Sequence, residues 1–224
     1  LGLSVDWSLL YATIDERSRR VSQRAFLRNL ARGEAYSAEA PTLWDVDFQT
    51  AVAQAEMEDR DRPGAYHKLA FHRTDGSGDI LIDTTRPELL AACVALVAHP
   101  DDERYQPIFG STVSTPLYGV EVHVVAHQLA QPDKGTGIAM ICTFGDLTDV
   151  IWWRELQLPT RAIIGRNGRI IAEPPTGVNT DAYAEIAGLN VKQAQRKVVE
   201  MLTDSQELIG EPRPLDHPVK FYER

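Results

Sequence analysis

The chain has 224 residues, of which 43% are hydrophobic and 25% are charged, and its formal net charge at pH 7 is −9. This composition is typical of a soluble globule with an ample core and excludes an overall disordered chain. The acidic balance argues against broad, non-specific nucleic-acid binding, which depends on neutralising many phosphates. Any contact with nucleic acid is therefore expected to be local.

Residues 15–33 combine an acidic start, good helix formers and a glycine stop, and this pattern predicts a helix. Arg20, Arg24, Arg28 and Arg32, here called the arginine row, recur at four-residue spacing and therefore share one helix face. A row of this kind is usually a solvent-exposed face. Contact with an RNA backbone is the alternative interpretation.

The middle of the chain is rich in predicted strands. Residues 56–64 are predicted to form a turn or exposed loop, and residues 66–73 and 79–83 form a β-hairpin. Further apolar, β-rich segments lie at 94–98, 120–125 and 138–141. The expected fold class is α/β, with a mixed, largely antiparallel, β-barrel-like core and surrounding helices.

The last third of the chain mixes helices with one turn. Asp146 or Thr148 is predicted to cap a helix that runs to residue 156. Asn167-Gly168 between apolar arms predicts a hairpin. An amphipathic helix is expected over residues 191–202, and residues 217–224 form a strand-like run. Because the chain starts without methionine and stops in that run, we expect it to be part of a larger protein.

The first candidate motif follows the predicted strand 79–83 and consists of Thr84, Thr85, Arg86, Pro87 and Glu88. Pro87 disfavours the helical region for Arg86, so the chain is predicted to kink and to present the side chains before it to solvent or ligand. Glu88 would then begin a short helix. A purely structural role, with threonine hydroxyls bonding to backbone, is the alternative.

The second motif runs from Gly135-Thr136-Gly137 to Asp146 and Asp149. Its glycines permit left-handed backbone or a close approach, but the run lacks the Gly-Lys-Ser/Thr ending of a P-loop, which excludes triphosphate binding. Asp146 and Asp149 share a face if both lie in a first helical turn, where they could hold an ammonium group or a ribose hydroxyl. Helix capping remains open for at least one of them.

Other chemistry is not indicated. His123 and His127 have helical spacing but lie on a predicted strand outside an H-E-x-x-H frame, so no metal site is expected. Cys93 and Cys142 lack CxxC spacing, and Cys142 has no evident activating partner. No membrane-spanning run or leader is found, and a reducing cytoplasm is the expected location.

The two motifs together resemble those of the editing (connective-peptide) domain inserted in class I valyl-, isoleucyl- and leucyl-tRNA synthetases. The flanks, residues 1–8 and 217–224, are similar to the valyl branch, and the resemblance covers essentially the whole chain. It implies a single editing domain over residues 1–224, with 1–45 and 210–224 as connecting segments to a catalytic domain. The aminoacylation signatures of HIGH and KMSKS type do not occur.

The resemblance implies post-transfer hydrolysis of threonine from tRNA(Val), because a hydrophobic synthetic pocket cannot strongly reject an isostere that only adds a hydroxyl. Asp149 matches the acid that holds the substrate α-amino group, and Arg86, Thr84 and Thr85 match the wall near the ester. The remaining candidate substrate-binding positions are Asp146, Glu88, Gly135, Thr136, Gly137, Thr143 and Phe144.

The implied partners are the mischarged 3′ end of tRNA(Val) and the rest of the synthetase, with no membrane. Arg20, Arg24 and Arg28 are the candidate tRNA-binding residues. No metal or cofactor is implied for this domain, since ATP is used by the parent synthetase. Water would attack the ester, helped mainly by positioning and a vicinal ribose hydroxyl.

The sequence departs from the common pattern at several positions. Many members have an aromatic residue before the Gly-Thr-Gly run, a lysine and a threonine in the next strand, and Pro-Ala-His before the first aspartate. Here these positions hold Lys134, Met140, Cys142 and residues 143–145 (Thr-Phe-Gly), so roles of the usual side chains do not carry over. Asp45, Asp47 and Phe48 stand where some relatives have cysteines, which excludes zinc there.

Three alternatives stay open at this point. One is an editing domain of the isoleucyl or leucyl type, which differs in the mischarged tRNA that it hydrolyses. Another is a non-catalytic tRNA-docking module, in which the arginine row binds and both motifs are structural. The third is a free metal hydrolase, which a chelator would inhibit.

Overall fold

The computed structural model describes residues 2–38 and 40–222, and the chain divides into two compact units between Ala40 and Pro41. The first unit contains the predicted helix, α1 (Glu16–Ala31), and Asp15 caps it by accepting a 2.6 Å hydrogen bond from the Ser18 amide. Apolar side chains of α1 such as Val21 and Phe26 are about 60% exposed. In this respect α1 differs from a helix buried in a core.

The second unit holds nine strands, three α-helices and short 3₁₀ helices within the described residues. The strands are β1 (Leu43–Asp45), β2 (Thr50–Val52), β3 (Met57–Arg73), β4 (Asp79–Thr84), β5 (Cys93–Ala98), β6 (Thr112–Ser114), β7 (Glu121–Ala126), β8 (Ile138–Cys142) and β9 (Arg213–Tyr222). The helices are α2 (Leu147–Glu155), α3 (Thr180–Ala184) and α4 (Val191–Asp204), with 3₁₀ turns at Gln54–Glu56, Pro87–Ala92 and Gln106–Ile108.

The main sheet has the order β4-β3-β6-β7-β5-β8, and β9 pairs with β3 off this path. Its pairs are antiparallel except for β5 with β7. The mixed, largely antiparallel α/β fold is therefore confirmed. The barrel-like part of that prediction is not confirmed, because β4 and β8, at the ends of the order, form no strand pair in the described part of the chain.

The strands at 66–73, 79–83, 94–98, 120–125 and 138–141 and the helices at 146–156 and 191–202 are confirmed. The loop predicted for residues 56–64 is wrong. This segment is the exposed first half of β3, and it pairs with β9 from Met57↔Tyr222 to Tyr66↔Arg213. Its partner strand, β9, lies about 150 residues further along the chain, so a local pattern of charges cannot reveal the pairing.

The turn at Asn167-Gly168 forms, with Gly168 at φ +70° and the Gly165 amide donating to the Arg169 carbonyl at 2.8 Å. The predicted hairpin arms are reduced to a single bridge, Ile164↔Ile170. Among the residues that the structure describes, no helix combines the length and apolar character needed to cross a membrane.

The core lies under the sheet and is closed by α4. Leu69, Ile82 and Leu96 of the strands are completely buried, as are Val198 and Leu202 of α4. Every residue of the 3₁₀ helix Pro87–Ala92 is buried between these layers. The first motif is therefore anchored by a fully buried segment.

The end of β3 at His72 carries a partly exposed charged cluster that predicts a pH-dependent stability. The His72 ring contacts Asp79 and Glu207 through its two nitrogens, each at 2.8 Å, and hydrogen bonds to Glu207 and Asp79 raise the pKa of His72. A histidine with a raised folded-state pKa stabilises the fold fully below its unfolded pKa, and the gain is lost as pH rises through the folded value.

We therefore expect His72→Gln to lower the free energy of unfolding more at pH 5.5 than at pH 9, by about 1 kcal/mol because the ring is half exposed. Urea titrations at both pH values measure this difference. His123→Gln is the control, since His123 contacts no carboxylate within the described residues. Equal losses for His72→Gln at both pH values would contradict the assignment.

Candidate functional site

The first motif and the segment after β8 meet at one place. β4 ends at Thr84, the chain kinks at Arg86 (φ −131°, ψ 64°), and Pro87 starts the buried 3₁₀ helix. The Thr84 hydroxyl accepts a 3.0 Å hydrogen bond from the Arg86 amide and so fixes the kink. This is the extended kink that Pro87 predicts.

Arg86 joins the two motifs. Its Nη1 donates to the Gly145 carbonyl at 3.0 Å, and its Nε donates to Glu88 Oε1 at 3.1 Å. Nη2 donates no hydrogen bond to any of the described residues, and the side chain is 39% exposed. Arg86 therefore holds the segment before α2 in place and keeps donors free for a ligand.

Asp149 is the buried acid of the site, with only 7% of its surface exposed. Its Oδ2 accepts a 2.9 Å hydrogen bond from the Gly145 amide. Burial, and then the charge of Asp146, raise the pKa of Asp149 to about 7, against the lowering effect of the Gly145 and Asp146 hydrogen bonds. A carboxylate with a perturbed pKa and a defined partner is typical of a functional site.

Gly145 leaves room for this geometry. A Cβ on Gly145 would lie 2.5 Å from Asp149 Oδ2, which is closer than real Cβ contacts come. The preceding residue, Phe144, adopts φ +62° and packs edge-on against Trp153 with ring centroids 5.1 Å apart. Residue 145 is one of the positions at which this chain departs from the common pattern. It is also the position where the Asp149 carboxylate approaches the backbone closely.

Glu88 is 2% exposed, and its Oε2 has no hydrogen-bond partner in the described structure. Burial raises the pKa of Glu88, and the Arg86 guanidinium partly offsets this effect. The predicted substrate-binding role of Glu88 stays a prediction. Its observed contact shows that it orients Arg86.

Two other predicted positions serve the local fold. Asp146 is exposed and caps α2, because its Oδ1 accepts from the amides of Thr148 and Asp149 at 2.7 and 3.0 Å. The Thr143 hydroxyl accepts from the Arg161 amide at 2.9 Å. Contacts of either side chain with substrate stay predictions.

The Gly135-Thr136-Gly137 run precedes β8, whereas Asp149 follows it, so the two ends of the second motif are separated by a strand. Gly135 (φ +59°) approaches Asp83, next to Thr84, where a Cβ would lie 3.0 Å from the Asp83 Cβ. The Thr136 carbonyl accepts from the Tyr105 hydroxyl at 2.7 Å. This run therefore supports the end of β4, and no contact with Asp149 is observed.

Sequence reasoning missed the contact that holds Thr85. Gln195 of α4 donates from Nε2 to the Thr85 carbonyl at 3.1 Å, from 110 residues away. No local signal could reveal this bond.

Lys134 is exposed, whereas Cys142 is buried opposite Cys93 in the β5–β8 register. Within residues 2–38 and 40–222, no group of three potential ligands is placed to hold a metal ion.

Two open clefts lie beside the motifs, and neither is lined by Arg86 or Asp149. One, of about 430 Å³, includes Thr136 and Tyr105. The other, of about 480 Å³, lies between β3 and α4.

Comparison with known proteins shows the family of this chain. The model of class I tRNA synthetases (I, L, M and V) matches residues 1–207. The chain belongs to this family.

Within the family, the chain is similar over its whole length to valine–tRNA ligases. It is 71% identical to that of Thermobifida fusca (strain YX) and 66% identical to that of Leifsonia xyli subsp. xyli (strain CTCB07). It spans 26% of the length of each of these relatives. The predicted similarity to the valyl branch is confirmed.

Solved structures give weaker similarity. The LeuRS-tRNA-LeuAMS ternary complex of Agrobacterium radiobacter K84 has a TM-score of 0.48 at 16% identity, covering 95% of this chain and 33% of that one. The structure of GlLeuRS-CP1 has a TM-score of 0.47 at 13% identity, covering 65% and 98%. Both scores lie below 0.5 and do not establish a shared fold.

Proposed function

We propose that this chain is a post-transfer editing hydrolase that removes threonine from mischarged tRNA(Val). The observation that carries the proposal is the buried carboxyl of Asp149, whose pKa is about 7. It accepts a hydrogen bond from the Gly145 amide, and the Gly145 carbonyl accepts one from Arg86. Membership of the class I family and the similarity to valine–tRNA ligases supply the substrate class. An acidic partner for an ammonium group and a guanidinium for an ester oxygen are what hydrolysis of an aminoacyl ester needs.

The proposed roles follow from the free hydrogen-bonding positions. Asp149 Oδ1 has no hydrogen-bond partner within the described residues and receives the substrate α-ammonium group, whose charge favours the ionised carboxylate. Arg86 Nη2 donates to the ester carbonyl and stabilises the negative charge that develops on attack. Thr84 and Thr85 form the wall beside the ester. Water is the nucleophile.

No general base is assigned to the protein. Glu88 is buried behind Arg86, and Asp149 is engaged with the amino group in this proposal. The vicinal hydroxyl of the terminal ribose lies next to the ester in every aminoacyl-tRNA, so positioning the substrate supplies much of the rate. The domain then depends on geometry more than on proton transfer by a side chain.

The test of this function is the rate at which the chain deacylates threonyl-tRNA(Val) and valyl-tRNA(Val). We expect threonyl-tRNA(Val) to be hydrolysed faster, and Asp181→Asn, which alters an exposed acid on α3, to leave both rates unchanged. Hydrolysis of neither ester, by the chain or by the full-length protein, would favour the docking-module alternative. Preferential hydrolysis of an isoleucine or leucine tRNA ester would favour the other branches.

The arginine row gives a separate prediction about tRNA affinity. Arg24 and Arg28 are exposed, and neither makes an ion pair among the described residues, whereas Arg20 pairs with Glu16 at 2.9 Å. We expect Arg24→Glu and Arg28→Glu each to weaken tRNA binding about three- to tenfold at low salt and to flatten its salt dependence.

Fluorescence anisotropy with labelled tRNA at several KCl concentrations measures this effect. Arg19→Glu is the charge-matched control, because Arg19 lies on another face of α1. Losses of equal size for Arg19→Glu and Arg24→Glu would show a general charge effect and remove the arginine row from the binding surface.

A further inference from the structure

The cleft of about 480 Å³ between β3 and α4, here called the α4 cleft, has no role so far. Its lining comprises Pro63, Gly64, Ala65 and His67 from β3 and Gln195, Arg196 and Val199 from α4. The β3 side therefore offers small residues beside the His67 ring, and the α4 side offers an amide and a guanidinium. An aromatic ring can border a base, and a guanidinium suits a charged group attached to it.

The α4 cleft adjoins the proposed editing site directly. His67 lies opposite Thr84 in the β3–β4 register, so the two side chains are neighbours on one face of the sheet. Gln195, on the other wall, donates to the Thr85 carbonyl at 3.1 Å. A molecule whose reactive end lies at Thr84 and Thr85 therefore has the α4 cleft beside it.

The charge of the α4 cleft is opposite to that of the chain. Among the residues that the structure describes, no aspartate or glutamate lines it, although the chain has a net charge of −9. Arg196 is exposed at its mouth and makes no ion pair within the described residues, in contrast to Lys197, which contacts Glu185 and Glu200. His67 is 7% exposed, and burial lowers its pKa, so the ring is neutral near pH 7. Arg196 is left as the cation of the α4 cleft.

We infer that the α4 cleft binds a phosphodiester group near the 3′ end of the RNA, with Arg196 as the phosphate ligand and His67 and Gln195 bordering the attached nucleoside. The inference rests on the proposed function and names a further part of the same substrate. The 3′-terminal ribose that carries an aminoacyl ester is joined through its 5′ carbon to a phosphodiester, so a phosphate always lies within one nucleotide of the ester. Arg196 supplies a cation in the cleft that adjoins Thr84 and Thr85, and an arginine fork suits phosphate oxygens.

The test uses the 224-residue chain and the 5′-phosphorylated dinucleotide pCpA, with adenosine as the uncharged probe, in calorimetric titrations. Arg196→Gln is expected to weaken pCpA binding about tenfold and to reduce its salt dependence, and to leave adenosine binding unchanged. Lys192→Gln is the matched control, since Lys192 is exposed on α4 but does not line the α4 cleft. This control is expected to change neither affinity more than about twofold.

Three results would overturn the inference: no pCpA binding to the unaltered chain, unchanged binding by Arg196→Gln, or equal losses for Arg196→Gln and Lys192→Gln. Deacylation of threonyl-tRNA(Val) separates this failure from failure of the proposed function. If the chain hydrolyses that ester and Arg196→Gln does so with the same KM, the α4 cleft is not part of the site and the editing function stands. If neither the chain nor the full-length protein hydrolyses an aminoacyl ester but Arg196→Gln still loses pCpA affinity, the editing function fails and the phosphate site stands.

Discussion

Replacing Asp149 with asparagine is expected to stabilise the fold at pH 8 and, at the same time, to lower deacylation of threonyl-tRNA(Val) about 10²- to 10³-fold. The loss of activity follows from removal of a buried charge that pairs with the substrate ammonium group, which typically costs about 2–4 kcal/mol. The gain in stability follows from burial. The pKa of Asp149 is about 7 in the folded chain and near 4 in an unfolded one.

The sign of the stability change depends on pH. The folded chain keeps a proton on Asp149 up to about pH 7, whereas the unfolded chain loses it near pH 4, so stability falls across this window as pH rises. Asparagine carries no charge at any pH. We therefore expect Asp149→Asn to raise the free energy of unfolding by about 2–4 kcal/mol at pH 8 and by little at pH 4.

Urea denaturation at both pH values measures the stability change, with Asp181→Asn as the control. Asp181 is an exposed acid on α3 and is not among the groups that shift the pKa of Asp149, so this control should alter the stability little at either pH. A destabilised but fully active Asp149→Asn variant would mean that Asp149 has a structural role only.

Replacing Gly145 with alanine is expected to remove hydrolysis almost as completely. The new Cβ would lie 2.5 Å from Asp149 Oδ2 and 3.3 Å from the Cys142 carbonyl, so the carboxylate must turn away and lose its hydrogen bond with the Gly145 amide. The Gly145 carbonyl, which accepts from Arg86, would move with it. We expect a loss of about 10²-fold in kcat/KM and of about 1–3 kcal/mol in stability.

Gly165→Ala provides the matched control, because a Cβ there meets Asn167 Oδ1 at a milder 3.1 Å and lies at the 161–171 turn. It should leave deacylation unchanged. Circular dichroism and the single-turnover deacylation rate separate loss of fold from loss of the site. Full activity in Gly145→Ala would show that the position of Asp149 does not depend on the close approach at residue 145.

Much of the fold could be predicted from local patterns. The cap at Asp15, the hairpin of β3 and β4 and the amphipathic helix α4 each have a period or turn signal within the segment itself. The first half of β3 could not be predicted in this way, because its exposed, charged residues become a strand only through pairing with β9. The same limit applies to the closure of a barrel, which depends on how the edge strands meet.

The candidate site shows a similar division. The kink at Arg86 follows from Pro87, and the cap at Asp146 follows from its place before α2, so both could be predicted from neighbouring residues. The hydrogen bond from Arg86 to the Gly145 carbonyl and that from Gln195 to the Thr85 carbonyl join residues far apart in the sequence. Backbone carbonyls leave no mark on the choice of side chain, so such links appear only in three dimensions.

The central claim is that Asp149 holds the α-amino group of a mischarged substrate, and one experiment tests it directly. The deacylation rates of threonyl-tRNA(Val) and of its N-acetyl derivative are measured with the unaltered chain and with Asp149→Asn. If Asp149 binds the ammonium group, acetylation slows the unaltered chain about as much as the substitution does, and the two changes together cost little more than either alone. Independent, multiplicative losses, or an unaltered chain that hydrolyses both esters equally fast, would contradict the claim.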